Sequence, residues 1–191
     1  MNLENNGNNL NKLYVDENNK TLNSSIPDFC PNLKSLYLSL YSNELDTLKN
    51  IFIKCQYLES IGILHRGKGI TEKEIFEIVA NYSSNDFHEL KIFNSSIGHT
   101  IFSENLKHFL INWKNRISKK SLTLTIIRDL DEEIMKIIEK YKNLDVFRIN
   151  TITLEEELKE EDIIYFCYWF LNILFVSVKF VIKIYICYFL L

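Results

Sequence analysis

The sequence predicts an α/β fold: a short, irregular solenoid of parallel strands alternating with helices, followed by an apolar, helical C-terminal tail. Three observations carry this reading. The pattern Cys-x-x-apolar-x-x-apolar-x-apolar occurs from Cys30 to Leu38 and again, 25 residues later, from Cys55 to Ile63. Segments with helical apolar spacing separate these copies from fainter echoes downstream. The last 29 residues hold two lysines and no acid.

The last two apolar positions of each copy alternate at period 2, which suits a short strand burying one face. The apolar residue three places earlier turns into the same core. One such unit cannot cover its own apolar side, so copies must stack. The interval and the pattern are those of a leucine-rich repeat, whose period is about 20–29 residues. Phe87-x-x-Leu90-x-Ile92 and Leu144-x-x-Phe147-x-Ile149 repeat the template, and Ser121–Ile126 alternates cleanly without the first anchor. The intervals are uneven, so the array is degenerate.

Residues 1–25 are rich in Asn and poor in periodic apolar residues, which reads as a flexible lead-in. Leu10, Leu13, Tyr14 and Val15 are the residues placed to pack there as a cap. Pro27 and Pro31 bracket the entry to the first repeat and are expected to keep a helix from running into it. Asn43 is a candidate N-cap for a helix with Leu45, Leu48, Ile51 and Phe52 on one face. Thr71-Glu72-Lys73-Glu74 is a capping box opening a helix that carries Ile75, Ile78, Val79 and Tyr82. Ser103 starts another, with Leu106, Phe109, Leu110 and Trp113. Asp131, Glu132 and Glu133 place acids at the positive end of a fourth, bearing Ile134, Ile137, Ile138 and Tyr141. Strand and helix alternating in this way imply right-handed crossovers and a parallel, curved sheet. The domain organisation is a lead-in at 1–25, the repeat domain at 26–150, an acidic hinge at 151–162 and the tail at 163–191.

Composition supports one ordinary domain, with 47% apolar and 25% charged residues in a chain of 191. The net charge of −3 conceals an asymmetry, because the body before the tail carries 20 basic and 25 acidic groups. That acidic balance, without a basic cluster, argues against nucleic acid as a partner. None of the four cysteines forms a Cys-x-x-Cys pair, and the N-terminus does not resemble a secretory signal. The cysteines read as reduced thiols in a reducing compartment, with Cys30 and Cys55 packing as small hydrophobes.

Gly62-Ile63-Leu64-His65-Arg66-Gly67-Lys68-Gly69 satisfies Gly-x-x-x-x-Gly-Lys between a strand and a helix. A phosphate loop also needs a Ser or Thr hydroxyl for magnesium, and Gly69 stands at that position. A basic turn between repeat elements is the plainer reading, with nucleotide binding as its alternative. His65, His88, His99 and His108 lack metal-site spacing, and no Gly-x-Ser-x-Gly occurs. No enzyme, metal or cofactor is implied.

Ile163 to Ile182 offers 20 residues with a single lysine, the length of a spanning helix. Tyr165, Tyr168 and Trp169 near one end and Tyr185 and Tyr188 near the other resemble interfacial belts. The tail therefore reads as a membrane anchor on a cytoplasmic body. Alternatively it is a buried terminal segment, or non-coding sequence fused to a truncated, non-functional paralogue.

The blocks Phe29-Cys30-Pro31-Asn32-Leu33-Lys34-Ser35-Leu36-Tyr37-Leu38, Asn43-Glu44-Leu45-Asp46-Thr47-Leu48-Lys49 and Cys55-Gln56-Tyr57-Leu58-Glu59-Ser60-Ile61 resemble the C-terminal repeats of fungal F-box/leucine-rich-repeat-like proteins. So do Asn112–Leu124 and Met135–Tyr141. The resemblance spans residues 26–150 and implies substrate recognition for a cullin–RING ubiquitin ligase. Residues 1–25 are too short for an F-box and lack a Leu-Pro-x-Glu start, so the Skp1 adaptor is not an expected partner. The repeat reading points Ser35, Tyr37, Ser60, Leu64, Glu89, Lys91, Phe93, Thr123, Thr125 and Arg148 to the open face of the sheet. These form the expected protein-binding surface, with Tyr37, Phe93 and Arg148 as its anchors.

Overall fold

Alternation of helix and strand organises the described part of the chain. The computed structural model describes residues 3–15, 19–41, 43–65, 71–94, 100–116, 120–127, 132–142 and 144–152. The acidic segment beyond residue 152, the apolar tail and the basic turn at residues 66–70 lie outside them. In order come α1 (Leu3–Asn6), a 3-10 turn (Gly7–Asn9), β1 (Lys12–Val15), α2 (Lys20–Phe29), β2 (Ser35–Leu40), α3 (Leu45–Lys54) and β3 (Ser60–His65). Then follow α4 (Glu72–Tyr82), β4 (Glu89–Asn94), α5 (Thr100–Lys114), β5 (Leu122–Ile127), α6 (Glu132–Lys142) and β6 (Phe147–Ile152).

The strands form one sheet in strict chain order, β1 to β6, and β1 through β5 pair in parallel. The α/β class with a parallel sheet thus matches the sequence pattern. Leu13, Leu36, Ile61, Leu90 and Leu124 stand in register on the inner face, and Val15, Leu38, Ile63, Ile92 and Ile126 form the next inner row. A sheet whose order never reverses places every right-handed crossover on one side. Accordingly α2, α3, α4, α5 and α6 pack in succession, each against the next. Their apolar residues and the two inner rows make a single core.

The junctions repeat as well. After α2, α3 and α4 the chain turns in the same way, with Leu33, Leu58 and Phe87 amides donating to the carbonyls of Cys30, Cys55 and Ser84. At each strand entry one carbonyl then accepts two successive amides: Asn11 from Lys34 and Ser35, Lys34 from Glu59 and Ser60, Glu59 from His88 and Glu89. The Cys-x-x-apolar spacing encodes this turn. The apolar residue drops into the core as the backbone swings from helix to sheet. Cys55 Sγ lies 3.3 Å from the Cys30 carbonyl, joining neighbouring turns.

In the helix layer, ring contacts run from Phe52 to Phe87 (5.4 Å), to Trp113 (6.1 Å), to Phe109 (5.9 Å) and to Phe76 (4.5 Å). Arg116 stacks on Trp113 at 4.4 Å and donates to the Ser83 hydroxyl and carbonyl, tying the end of α4 to α5. A buried polar node fixes α2 to the end of β2. Glu44 accepts from Asn23 Nδ2 (3.0 Å) and from the Tyr41 amide (2.9 Å), while Asn23 Nδ2 also donates to the Ser39 carbonyl.

Several element boundaries differ from the sequence reading. The lead-in is not featureless: β1 is a sixth strand, and its sheet edge precedes the first recognisable repeat. Gly7 allows the turn before it to press on α2, where a Cβ would collide with the Phe29 carbonyl. Pro27 does not end a helix. It lies in the last turn of α2, where the missing N–H removes one bond and the ladder resumes with Cys30 N–H to Ile26 carbonyl at 2.9 Å. Glu44, not Asn43, holds the N-cap position of α3, without a side-chain capping bond, and α5 begins before Ser103. The Thr71–Glu74 capping box is present with both reciprocal bonds.

Burial raises the thiol pKa of Cys30, and burial with the neighbouring Cys30 pushes Cys55 from an ordinary 9.0 up to about 12. Both groups therefore hold their protons longer in the folded chain than in the unfolded one. Their contribution to stability is intact below pH 9.0 and declines as pH rises towards about 12, where the unfolded state binds fewer protons. Mass-spectrometric mapping should find Cys30 and Cys55 unmodified by iodoacetamide at pH 7.5 until denaturant is added. Chemical denaturation between roughly pH 8 and 11 should show stability falling with pH, by less in a Cys55→Ala background. Rapid alkylation of the native thiols would contradict their burial.

Candidate interaction surface

Among the described residues, helices cover one face of the sheet and outward strand residues define the other. Parallel sheets are ordinarily covered on both faces. The registers place these residues in rows. Lys12, Ser35, Ser60, Glu89 and Thr123 form the first; Tyr14, Tyr37, Gly62, Lys91 and Thr125 the second; Ser39, Leu64, Phe93 and Ile127 the third.

The second and third rows contain an aromatic strip. Tyr14 and Tyr37, directly opposite each other on β1 and β2, stack with ring centroids 4.3 Å apart and planes at 6°. Tyr37 then meets Phe93 of β4 edge-on at 5.3 Å. Strands β2 and β4 are separated by β3, about 9.6 Å in all. The contact spans that gap because Gly62 has no side chain: a Cβ there would lie 2.7 Å from Tyr37 Cδ2. Gly62 is therefore a mid-strand residue whose backbone carries the Tyr37 ring. Gly62 also heads the nucleotide-loop pattern, whose residues 66–69 lie outside the described residues.

Around the strip, Ser35 and Ser60 hydroxyls bond at 2.9 Å, and Lys91 pairs with Glu89 at 3.6 Å. Tyr14 is 49% exposed, Lys12, Lys91 and Arg148 are exposed, and Ser35, Tyr37, Ser60, Glu89, Phe93 and Thr123 are half-buried. Leu64 and Thr125 are each only 4% exposed, so these two expected surface residues offer little to a partner. Arg148 lies on β6, away from the strip on β1 to β4. The structure thus brings Tyr37 and Phe93 together and leaves Arg148 apart from them.

Sequence reading placed Tyr14 in a packing cap rather than on this face, and it missed Lys12 and the role of Gly62. The alternation in Lys12-Leu13-Tyr14-Val15 is the signal that was available for the first two. Among the described residues no group of His, Cys, Asp and Glu is placed to hold a metal, and no helix is long and apolar enough to cross a membrane. The candidate anchor at 163–191 lies outside those residues. The fold and this surface define an α/β protein with a sequentially ordered parallel sheet, helical on one face and aromatic on the other. Comparisons with family models, curated proteins and solved structures return no match.

Proposed function

We propose that the chain is a protein-interaction scaffold that binds its partner on the outer sheet face. In this reading the units are degenerate leucine-rich repeats, similar to those that select substrates for F-box/leucine-rich-repeat ubiquitin-ligase adaptors. The observation that carries it is the Tyr14–Tyr37–Phe93 strip, with Tyr14 exposed and Tyr37 and Phe93 half-buried, on the face opposite the helices. Rigid aromatic side chains supply large contact areas at small entropic cost and dominate interface energetics. The recurring helix-to-strand turns support the repeat reading, because successive units rest on one another through the same bonds.

Quantitative pulldown of the full chain tests the proposal. Tyr37→Ala and Phe93→Ala should each reduce partner recovery about tenfold or more. Met135→Ala, an exposed site on α6, should leave it unchanged. Recovery unaffected by both aromatic substitutions, with the fold intact by circular dichroism, would overturn the assignment of this face.

A further inference from the structure

The charge around the aromatic strip differs from that of the rest of the chain. Among the described outward positions of β1 to β4, which carry the strip, stand Lys12 and Lys91 against a single acid, Glu89. The body to residue 162 carries 20 basic and 25 acidic groups, so this face is locally basic on an acidic molecule. Lys91 shares its row with Tyr37, while Lys12 lies one row away beside Tyr14. Both ammonium groups therefore border the strip.

We infer that the face takes an acidic peptide segment bearing an aromatic or large apolar anchor. This rests on the interaction reading and adds the chemistry of the partner. The anchor packs on the strip, and the carboxylates reach Lys91 and Lys12. Tyr37 and Lys91 are two strands apart, about 9.6 Å, and an extended peptide advances about 3.3 Å per residue. The anchor and the leading carboxylate are accordingly about three residues apart in a segment crossing the strands. Glu89 holds Lys91 by a surface pair at 3.6 Å, with the two side chains 46% and 33% exposed. Such pairs are weak, so the ammonium can exchange Glu89 for a partner carboxylate.

Tyrosines beside lysines also suit a single-stranded nucleic acid, in which bases stack on open rings. Here Tyr37 is enclosed, with Tyr14 stacked on it, the Gly62 backbone beneath and Phe93 at its edge. Tyr37 thus offers edges and not an open face. Tyr14, 49% exposed, is a single half-open ring and not the succession of faces on which successive bases stack, which favours the peptide.

Fluorescence anisotropy with the full chain decides the matter. The probe is a short labelled peptide with one tryptophan and two glutamates about three residues away. The glutamate peptide should bind about five- to tenfold tighter than its glutamine version, with the advantage shrinking as salt rises. Lys91→Glu should reverse the preference towards a lysine version of the peptide. Tyr37→Ala should weaken all versions alike. Equal binding of the glutamate and glutamine peptides, with loss in Tyr37→Ala, would overturn the acidic partner and leave the interaction surface standing. Absence of binding by the glutamate peptide, or displacement of it by oligothymidylate, would also overturn the acidic-peptide inference. Indifference of both peptide binding and partner recovery to Tyr37→Ala would sink the surface reading with it.

Discussion

Phe87→Ala is expected to lower the free energy of unfolding by about 3–5 kcal/mol, the range for truncating a fully buried phenylalanine. Phe87 is 1% exposed and sits where the turn after α4 enters β4. Its ring meets Phe52 of α3 on one side and Trp113 of α5 on the other, at 5.4 and 6.1 Å. Removing it opens a cavity between the Phe52 and Trp113 rings, each held by its own helix and unable to collapse far. The loss combines the transfer free energy of the ring with the cavity left behind. A domain of ordinary stability has about 5–15 kcal/mol in total, so much of the margin would go. Urea denaturation followed by tryptophan fluorescence measures this directly. Phe87→Leu should recover more than half the loss, because it restores most of the volume. A change below about 1 kcal/mol would mean that these aromatic contacts are not maintained in solution.

Gly62→Val is expected to cost about 3 kcal/mol, the upper part of the range for overpacking, and to dismantle the aromatic strip. The added Cβ would lie 2.7 Å from Cδ2 of Tyr37, a ring atom near the stem and not the far end of a flexible chain. Tyr37 cannot simply swing aside, since Tyr14 stacks on it and Phe93 meets its edge. The ring must leave, exposing Phe93 and ending the bridge between β2 and β4. A double-mutant cycle isolates this cause. In a Tyr37→Ala background Gly62→Val should be nearly neutral, with a coupling of about 2 kcal/mol or more. Partner binding should fall in both single variants to a similar level. Additive effects would place the strain elsewhere in β3.

Much of the framework was legible in the sequence because burial on one side imposes a period. Leu36 and Leu38, Ile61 and Ile63, Leu90 and Ile92, and Phe147 and Ile149 alternate as inner-face residues must, and these segments are β2, β3, β4 and β6. The capping box at Thr71 and Glu74 was equally readable, since it requires only residues three apart. Strand β1 was not. Its four residues alternate, but with only Leu13 and Val15 in the core the signal is short and is diluted by the Asn-rich stretch around it. Helix α2 was hidden by Pro27, whose cost is small in a final turn where few ladder bonds remain to be lost.

The surface followed a different rule. Local spacing assigned residues to the outer face, yet it could not separate Leu64 and Thr125, which are buried, from Lys91, which is exposed. Alternation along one strand specifies which way a side chain points, but not what lies beside it.

By itself, then, the amino-acid sequence determined the strand and helix alternation, the repeating turns and the apolar rows that face the helices. Each depends on contacts a few residues apart, or on a periodicity that any one segment displays. Only the tertiary structure decided that Tyr14, Tyr37 and Phe93 form one strip and that Gly62 is the space across which they meet. Those residues are separated by 23 to 79 positions in the chain. Their meeting depends on inter-strand register, which arises from the sum of many weak pairings across the sheet.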